Sequence, residues 1–136
     1  MKWRILVSAP YLQPHIDQFR ELFVQHDAEI ILPEVHERLS EAELLSLVGE
    51  IDGVVAGDDR FTRKVLEKAT PRLKVIAKWG TGIDSFDRQA CEELGVEIRN
   101  TPDAFTSPVS DSVLGYILAF ARKLPWMDRE MKAEAW

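Results

Sequence analysis

The sequence predicts an α/β protein built on a doubly wound, parallel sheet of five strands, with one apolar helix towards its C-terminal end. Two observations carry this. Five short β-prone runs recur between Trp3 and Ile98, and segments with the 3.6-residue spacing of amphipathic helices lie between them. Short strands alternating with helices favour a parallel sheet covered on both faces and joined by right-handed crossovers. The expected strand order is 2-1-3-4-5, as in flavodoxin-like folds.

The first strand is Trp3–Ser8, closed by Ala9-Pro10. After Pro14, the residues Ile16, Phe19, Leu22 and Phe23 mark one helical face, and Glu29–Leu32 follows as the second strand. Ser40 precedes a helix whose apolar face is Leu44, Leu45 and Val48. Its acidic first turn suits the positive end of a helix dipole, although Ser40-Glu41-Ala42-Glu43 reads as just short of a capping box. Gly53–Ala56 is the third strand, and Thr62 is placed to cap the helix carrying Val65 and Leu66. Leu73–Ala77 is the fourth strand. Asp84 or Ser85 is the expected cap of the next helix, which ends at Gly95 as its C′ residue, before the fifth strand, Val96–Ile98.

The organisation changes at Asn100-Thr101-Pro102. Ser107 as N-cap with Pro108 at the first helical position predicts a helix to about Lys123. Val113, Leu114, Ile117, Leu118, Phe120 and Ala121 leave it apolar nearly all round, so it needs partners on several sides. A polar segment, 126–136, follows Pro125. The expected division is a sheet domain over 1–103 and a helix with its tail over 104–136.

Composition removes several function classes. The chain has 136 residues with 17 basic and 23 acidic side chains spread along it, which argues against a nucleic-acid surface. Val113–Ala121 falls short of the roughly 20 residues that cross a bilayer, so no membrane partner is expected. One cysteine, Cys91, forms no intramolecular disulfide, and the N-terminus shows no secretory signal, which fits a cytoplasmic protein. His15, His26 and His36 lack metal-ligand spacing and are expected at the surface; no metal site is assigned. Cys91 beside Glu92 and Glu93 is expected to be a small buried residue with a raised thiol pKa. A phosphoacceptor role for Asp58-Asp59 would require further carboxylates after the first strand, where Ser8-Ala9-Pro10 stands instead.

The most informative stretch is LKVIAKWGTGIDSFD, Leu73–Asp87, in which a strand runs straight into Gly80-Thr81-Gly82. Glycines there let the backbone turn tightly and aim N–H groups at an anion, beyond the carboxyl end of a strand where ligands of open α/β sheets bind. The loop is thus a candidate carboxylate nest, with a tight ligand-free connection as the alternative. Trp79 either walls this cleft or fills a gap beside the sheet.

The order of these motifs resembles the N-terminal part of the D-isomer-specific 2-hydroxyacid dehydrogenases. The resemblance rests on Asp52-Gly53-Val54-Val55 with Thr62, Leu73-Lys74-Val75-Ile76 leading to Gly80-Thr81-Gly82-Ile83-Asp84, then Gly95-Val96, Asn100-Thr101-Pro102 and Ala121–Pro125. It implies a flavodoxin-like substrate-binding domain of an NAD(P)-dependent enzyme acting on a small 2-hydroxy or 2-oxo acid. Gly80, Thr81 and Gly82 would line the cleft, Thr81 would face NAD or NADP, and Asp84 would hold the turn. Ser85 stands where the family commonly has asparagine. Gly57 and Trp79 complete the expected substrate-binding set. Ala56-Gly57 differs from the Arg-Ser pair of some phosphoglycerate enzymes, leaving Arg60 as a substitute anion partner or a solvated loop charge. The family's G-x-G-x-x-G cofactor loop and its catalytic arginine, glutamate and histidine have no matching positions in residues 1–136, so no catalytic residue is assigned and the isolated chain is expected to be inactive. The resemblance also implies a homodimer through the helix bearing Val113, Ile117, Leu118 and Phe120. The competing reading is a stand-alone flavodoxin-like module that binds a small carboxylate or a protein partner.

Overall fold

A computed structural model describes residues 2–134. The chain divides into two compact units, Met1–Pro102 and Asp103–Trp136. The first holds five parallel strands, β1 (Trp3–Val7), β2 (Ala28–Ile31), β3 (Gly53–Ala56), β4 (Val75–Lys78) and β5 (Glu97–Arg99), in the order β2-β1-β3-β4-β5. β4 and β5 each begin later than the apolar pattern suggests. The Leu73 N–H instead donates to Ala69 O, holding Leu73 against the preceding helix.

Side-chain alternation along the strands supplies two cores. Leu6, Val54 and Ile76 point to one face, where they join Leu44 of α2 (Glu41–Leu47), Val65 and Leu66 of α3 (Arg63–Ala69), and Ala90 and Cys91 of α4 (Arg88–Leu94). Val7 and Ala9 point to the other face with Leu12 and Ile16, against which Ile5, Val55 and Phe23 are partly buried. Phe23 belongs to α1 (Arg20–Gln25), which follows a 3-10 stretch, Gln13–Phe19, in place of one continuous helix after Pro14.

Helix ends explain several departures from expectation. Ser40 and Glu43 do form a capping box: Ser40 Oγ accepts from the Glu43 N–H, and the Glu43 carboxylate accepts from the Ser40 N–H at 2.8 Å. An offset of three residues is what the motif requires. Thr62 caps α3 as expected, and Gly95 ends α4 in the left-handed conformation with φ 70°. The cap of α4 is Asp87, whose carboxylate accepts from the Ala90 N–H at 2.9 Å, not Asp84 or Ser85. Those two residues are taken up by the preceding turn, which delivers Phe86 to a parallel bridge with Phe61.

The second unit contains α5 (Thr106–Ala121) and α6 (Leu124–Lys132). Ser107 does not cap α5. The Val109 N–H already bonds to Phe105 O, so the helix begins two residues earlier and Ser107 lies inside it. α5 stops at Ala121, Lys123 turns the chain at φ 56°, and much of the polar tail folds as α6, with Phe120 and Trp126 edge to face at 5.4 Å. Residues 135 and 136 of the tail lie outside the described residues. Among the described residues no helix is long and apolar enough to cross a membrane.

Candidate functional site

The carboxyl ends of β1, β3 and β4 meet around a cleft of about 410 Å³. Its walls are the loop after β1, Gly57-Asp58 after β3, and Lys78–Gly82 after β4, with His36 and Glu37 at the rim. All five expected substrate-binding residues, Gly57, Trp79, Gly80, Thr81 and Gly82, are therefore brought to one cavity. Trp79 is 47% exposed, so it walls the cleft and does not fill a gap beside the sheet.

The glycine loop is held from both sides. Thr81 Oγ donates to Thr101 O at 2.9 Å, Asn100 Nδ2 donates to Thr81 O at 2.7 Å, and the Thr101 N–H donates to Gly80 O at 3.0 Å. Further along, the Phe61 N–H bonds Ser85 O and the Asp87 N–H bonds Phe61 O. Gly80 sits at φ 144°, which a side chain strains to adopt, and its N–H folds back onto Lys78 O at 2.9 Å. Gly80 thus contributes shape and no donor. The N–H groups of Thr81 and Gly82 have no partner among the described residues, so of the three loop residues only these two have free backbone donors.

Gly57 is required for a different reason. A Cβ there would lie 3.0 Å from Pro10 Cδ and 3.3 Å from Ala9 Cα, because the loops after β1 and β3 touch at this point. Its N–H donates to Asp59 at 3.2 Å and its carbonyl accepts from Lys78 Nζ at 2.7 Å.

Two residues that pattern reading passed over organise the site. Lys78 ends β4 with a side chain only 7% exposed, and its ammonium bonds Gly57 O and Asp58. The signal was present in the alternation, since Lys78 follows Ile76 by two residues and so shares its inward face. Asp59 is fully buried and accepts from Ser8 Oγ at 2.5 Å, from the Leu39 N–H at 2.6 Å and from the Gly57 N–H. It joins the ends of β1 and β3 to the segment before α2, while its neighbour Asp58 stays exposed.

Other candidates separate from this cleft. Arg60 is exposed and lies on an adjoining cavity with Asp84 and Ser85. His15, His26 and His36 are exposed, and no group of three potential metal ligands occurs among the described residues. Cys91 is buried; burial, reinforced by the Asp87 charge, pushes its thiol above the ordinary range.

A family model described as D-isomer specific 2-hydroxyacid dehydrogenase, catalytic domain, matches residues 5–133. The D-3-phosphoglycerate dehydrogenase of Methanocaldococcus jannaschii is 37% identical over 119 residues, covering 83% of this chain and 22% of the relative. The glyoxylate reductase of Thermococcus onnurineus is 31% identical over 137 residues, covering 100% of this chain and 39% of the relative. Among solved structures, a Thermus thermophilus protein matches with a TM-score of 0.76 at 29% identity, covering 98% of this chain and 41% of that one. The chain spans well under half the length of these relatives.

Proposed function

Since the chain belongs to the D-isomer specific 2-hydroxyacid dehydrogenase family, we propose that its first unit binds the 2-hydroxy or 2-oxo acid for an NAD(P)-dependent oxidoreductase. The observation that carries this reading is the pair of N–H groups on Thr81 and Gly82 without a partner among the described residues, on a loop that lines the cleft with the buried Lys78. Two neighbouring free amide donors suit a carboxylate, the group that every 2-oxo acid presents, while the Lys78 ammonium, paired with Asp58 and bonded to Gly57 O, fixes the adjoining wall. Gly57 and Gly80 keep the walls thin enough for backbone to reach it, and Trp79 covers one side.

The nicotinamide, when bound, accepts or supplies the hydride. Thr81 is exposed at the loop, and because its hydroxyl is committed to Thr101 it would offer the cofactor its methyl group. No G-x-G-x-x-G loop occurs within residues 1–136, so the 136-residue chain by itself is expected to bind acid without turning it over.

Self-association through α5 is the second part of the reading. Val113, Ile117, Leu118 and Phe120 are between 50% and 66% exposed on a helix with one charged residue, Asp111. Apolar surface of that kind favours a protein partner, here a second copy.

The test is an amide NMR titration of the 136-residue chain with pyruvate or glyoxylate, paired with an NADH oxidation assay. Shifts centred on Thr81 and Gly82 without turnover are expected. Turnover by this chain would overturn the inactivity, and shifts absent from the loop would overturn the site.

A further inference from the structure

The walls of the glycine-loop cleft carry more negative than positive charge. Of the side chains that line it among the described residues, Lys78 is the permanent cation, while Asp58 and Glu37 are carboxylates. The Lys78 ammonium is already engaged by Asp58 and by Gly57 O at 2.7 Å, and its side chain is only 7% exposed. Asp58 and Glu37 are both exposed, so an acid entering the cleft meets the carboxylates before it meets the ammonium. Arg38 and Arg60 do not offset them, because they line the adjoining cavity together with Asp58, Asp84 and Asp87. Ala56-Gly57 places no arginine immediately after β3.

The same walls carry two large aromatic side chains. Tyr11 is 82% exposed and Trp79 is 47% exposed, and both border the cleft. Their positions follow from the backbone. The loops after β1 and β3 touch where Pro10 meets Gly57, which brings the next residues, Tyr11 and Asp58, to one cavity. The Trp79 N–H donates to Ala56 O at 2.8 Å and fixes the start of the glycine loop against the end of β3. Exposed rings beside a cleft leave apolar surface that a ligand can cover.

We propose that Asp58 and Glu37 on one side, and Tyr11 and Trp79 on the other, select a 2-oxo or 2-hydroxy acid whose substituent is uncharged and apolar, and reject one that carries a second anion. This rests on the carboxylate reading of the glycine loop and adds a specificity to it. Two opposing effects set the preference. Covering the rings favours an aromatic or branched aliphatic substituent in proportion to the area removed from water. Each wall carboxylate repels a dianionic acid about twice as strongly as a monoanionic one, since the interaction scales with the product of the charges.

The experiment is an amide and indole NMR titration of the 136-residue chain, at low ionic strength, with pyruvate, phenylpyruvate, 4-methyl-2-oxopentanoate and 2-oxoglutarate. Wild type is compared with Tyr11→Ala, Asp58→Asn and, as a remote change of the same charge, Glu21→Gln on α1. All three positions are exposed, so the variants are expected to fold, and their amide spectra check this. In wild type, phenylpyruvate and 4-methyl-2-oxopentanoate are expected to bind at least about fivefold more tightly than pyruvate, and 2-oxoglutarate no more tightly than pyruvate. Tyr11→Ala should reduce the advantage of phenylpyruvate. Asp58→Asn should raise the affinity for 2-oxoglutarate relative to pyruvate about threefold, and Glu21→Gln should leave that ratio unchanged. Tightest binding of 2-oxoglutarate in wild type, apolar acids no tighter than pyruvate, or a ratio that Asp58→Asn does not move would each overturn the selectivity, while pyruvate shifts at Thr81 and Gly82 keep the glycine-loop reading intact. Shifts confined to the Trp79 indole, with no probe moving Thr81 or Gly82, would overturn that reading and the selectivity together.

Discussion

Asp59 accepts a hydrogen bond from Ser8 across 51 positions of sequence, at 2.5 Å and with both residues fully buried. Together with its bonds to the Leu39 and Gly57 N–H groups, this carboxylate fastens three chain segments behind the candidate site. Replacing it leaves three buried donors without their acceptor. Asp59→Ala is expected to lower unfolding stability by about 2–4 kcal/mol, measured as a shift in urea midpoint, whereas Asp58→Asn at the exposed neighbour should change it by less than about 1 kcal/mol. Equal effects at the two positions would contradict the assignment.

The glycines of the site should separate under alanine substitution. Gly80→Ala is strained by φ 144°, and Gly57→Ala would press against Pro10 and the Ala9 backbone, so each is expected to cost about 1–3 kcal/mol. Gly82→Ala meets nothing closer than 3.7 Å at an ordinary φ and should fold with near wild-type stability. Thermal melts of the three variants give the ranking directly.

Asp52 sets an acid limit. Burial pushes its carboxyl up, but hydrogen bonds from Arg72 and from the Arg4 N–H, with the charges of both arginines, outweigh that and hold it below the usual carboxylate range. A depressed folded-state pKa contributes stability that is present above the unfolded value and is lost as pH falls through the folded one. Urea midpoints measured from pH 6 down to pH 2 should therefore fall in wild type, and the fall should be shallower in Asp52→Asn. An unchanged slope would remove Asp52 from the account.

Cys91 should react slowly. Its thiol is buried with a pKa raised by desolvation, so thiolate is scarce and access is blocked. Labelling by an aromatic disulfide reagent at pH 8 is expected to be at least about a hundredfold slower in native than in urea-unfolded protein, with opening of the fold as its limit.

The proposed self-association through α5 has a direct measurement. Light scattering at micromolar concentration is expected to give twice the chain mass, and Ile117→Glu with Phe120→Glu should return the monomer without changing the first unit's melting behaviour.

Much of this structure was legible in the sequence because it rests on periodicity. Leu6, Val54 and Ile76 against Val7 and Val55 show the two-residue alternation that a sheet covered on both faces requires, and the strand order is the one expected of a flavodoxin-like fold. Gly80 and Gly95 were legible because both stand at positive φ. The cap of α4 was not, because Asp84, Ser85 and Asp87 are all acceptable caps locally and the choice is made by the long-range bridge between Phe61 and Phe86. Lys78 and Asp59 escaped for a related reason. Their partners, Gly57 O and Ser8 Oγ, lie 21 and 51 residues away, and a charged residue at a strand end looks solvated until its partner is known.

The position of β1 has a consequence for synthesis. Its edge against β2 is complete once Ile31 has emerged, while its edge against β3 stays open until Ala56 does, a delay of 25 residues (56 minus 31). At roughly 5–20 residues per second this exposes an apolar strand edge on the ribosome for about one to five seconds. Until β3 is available, Ile5 and Leu6 can be paired on one edge only, and the arrival of β3 covers the other.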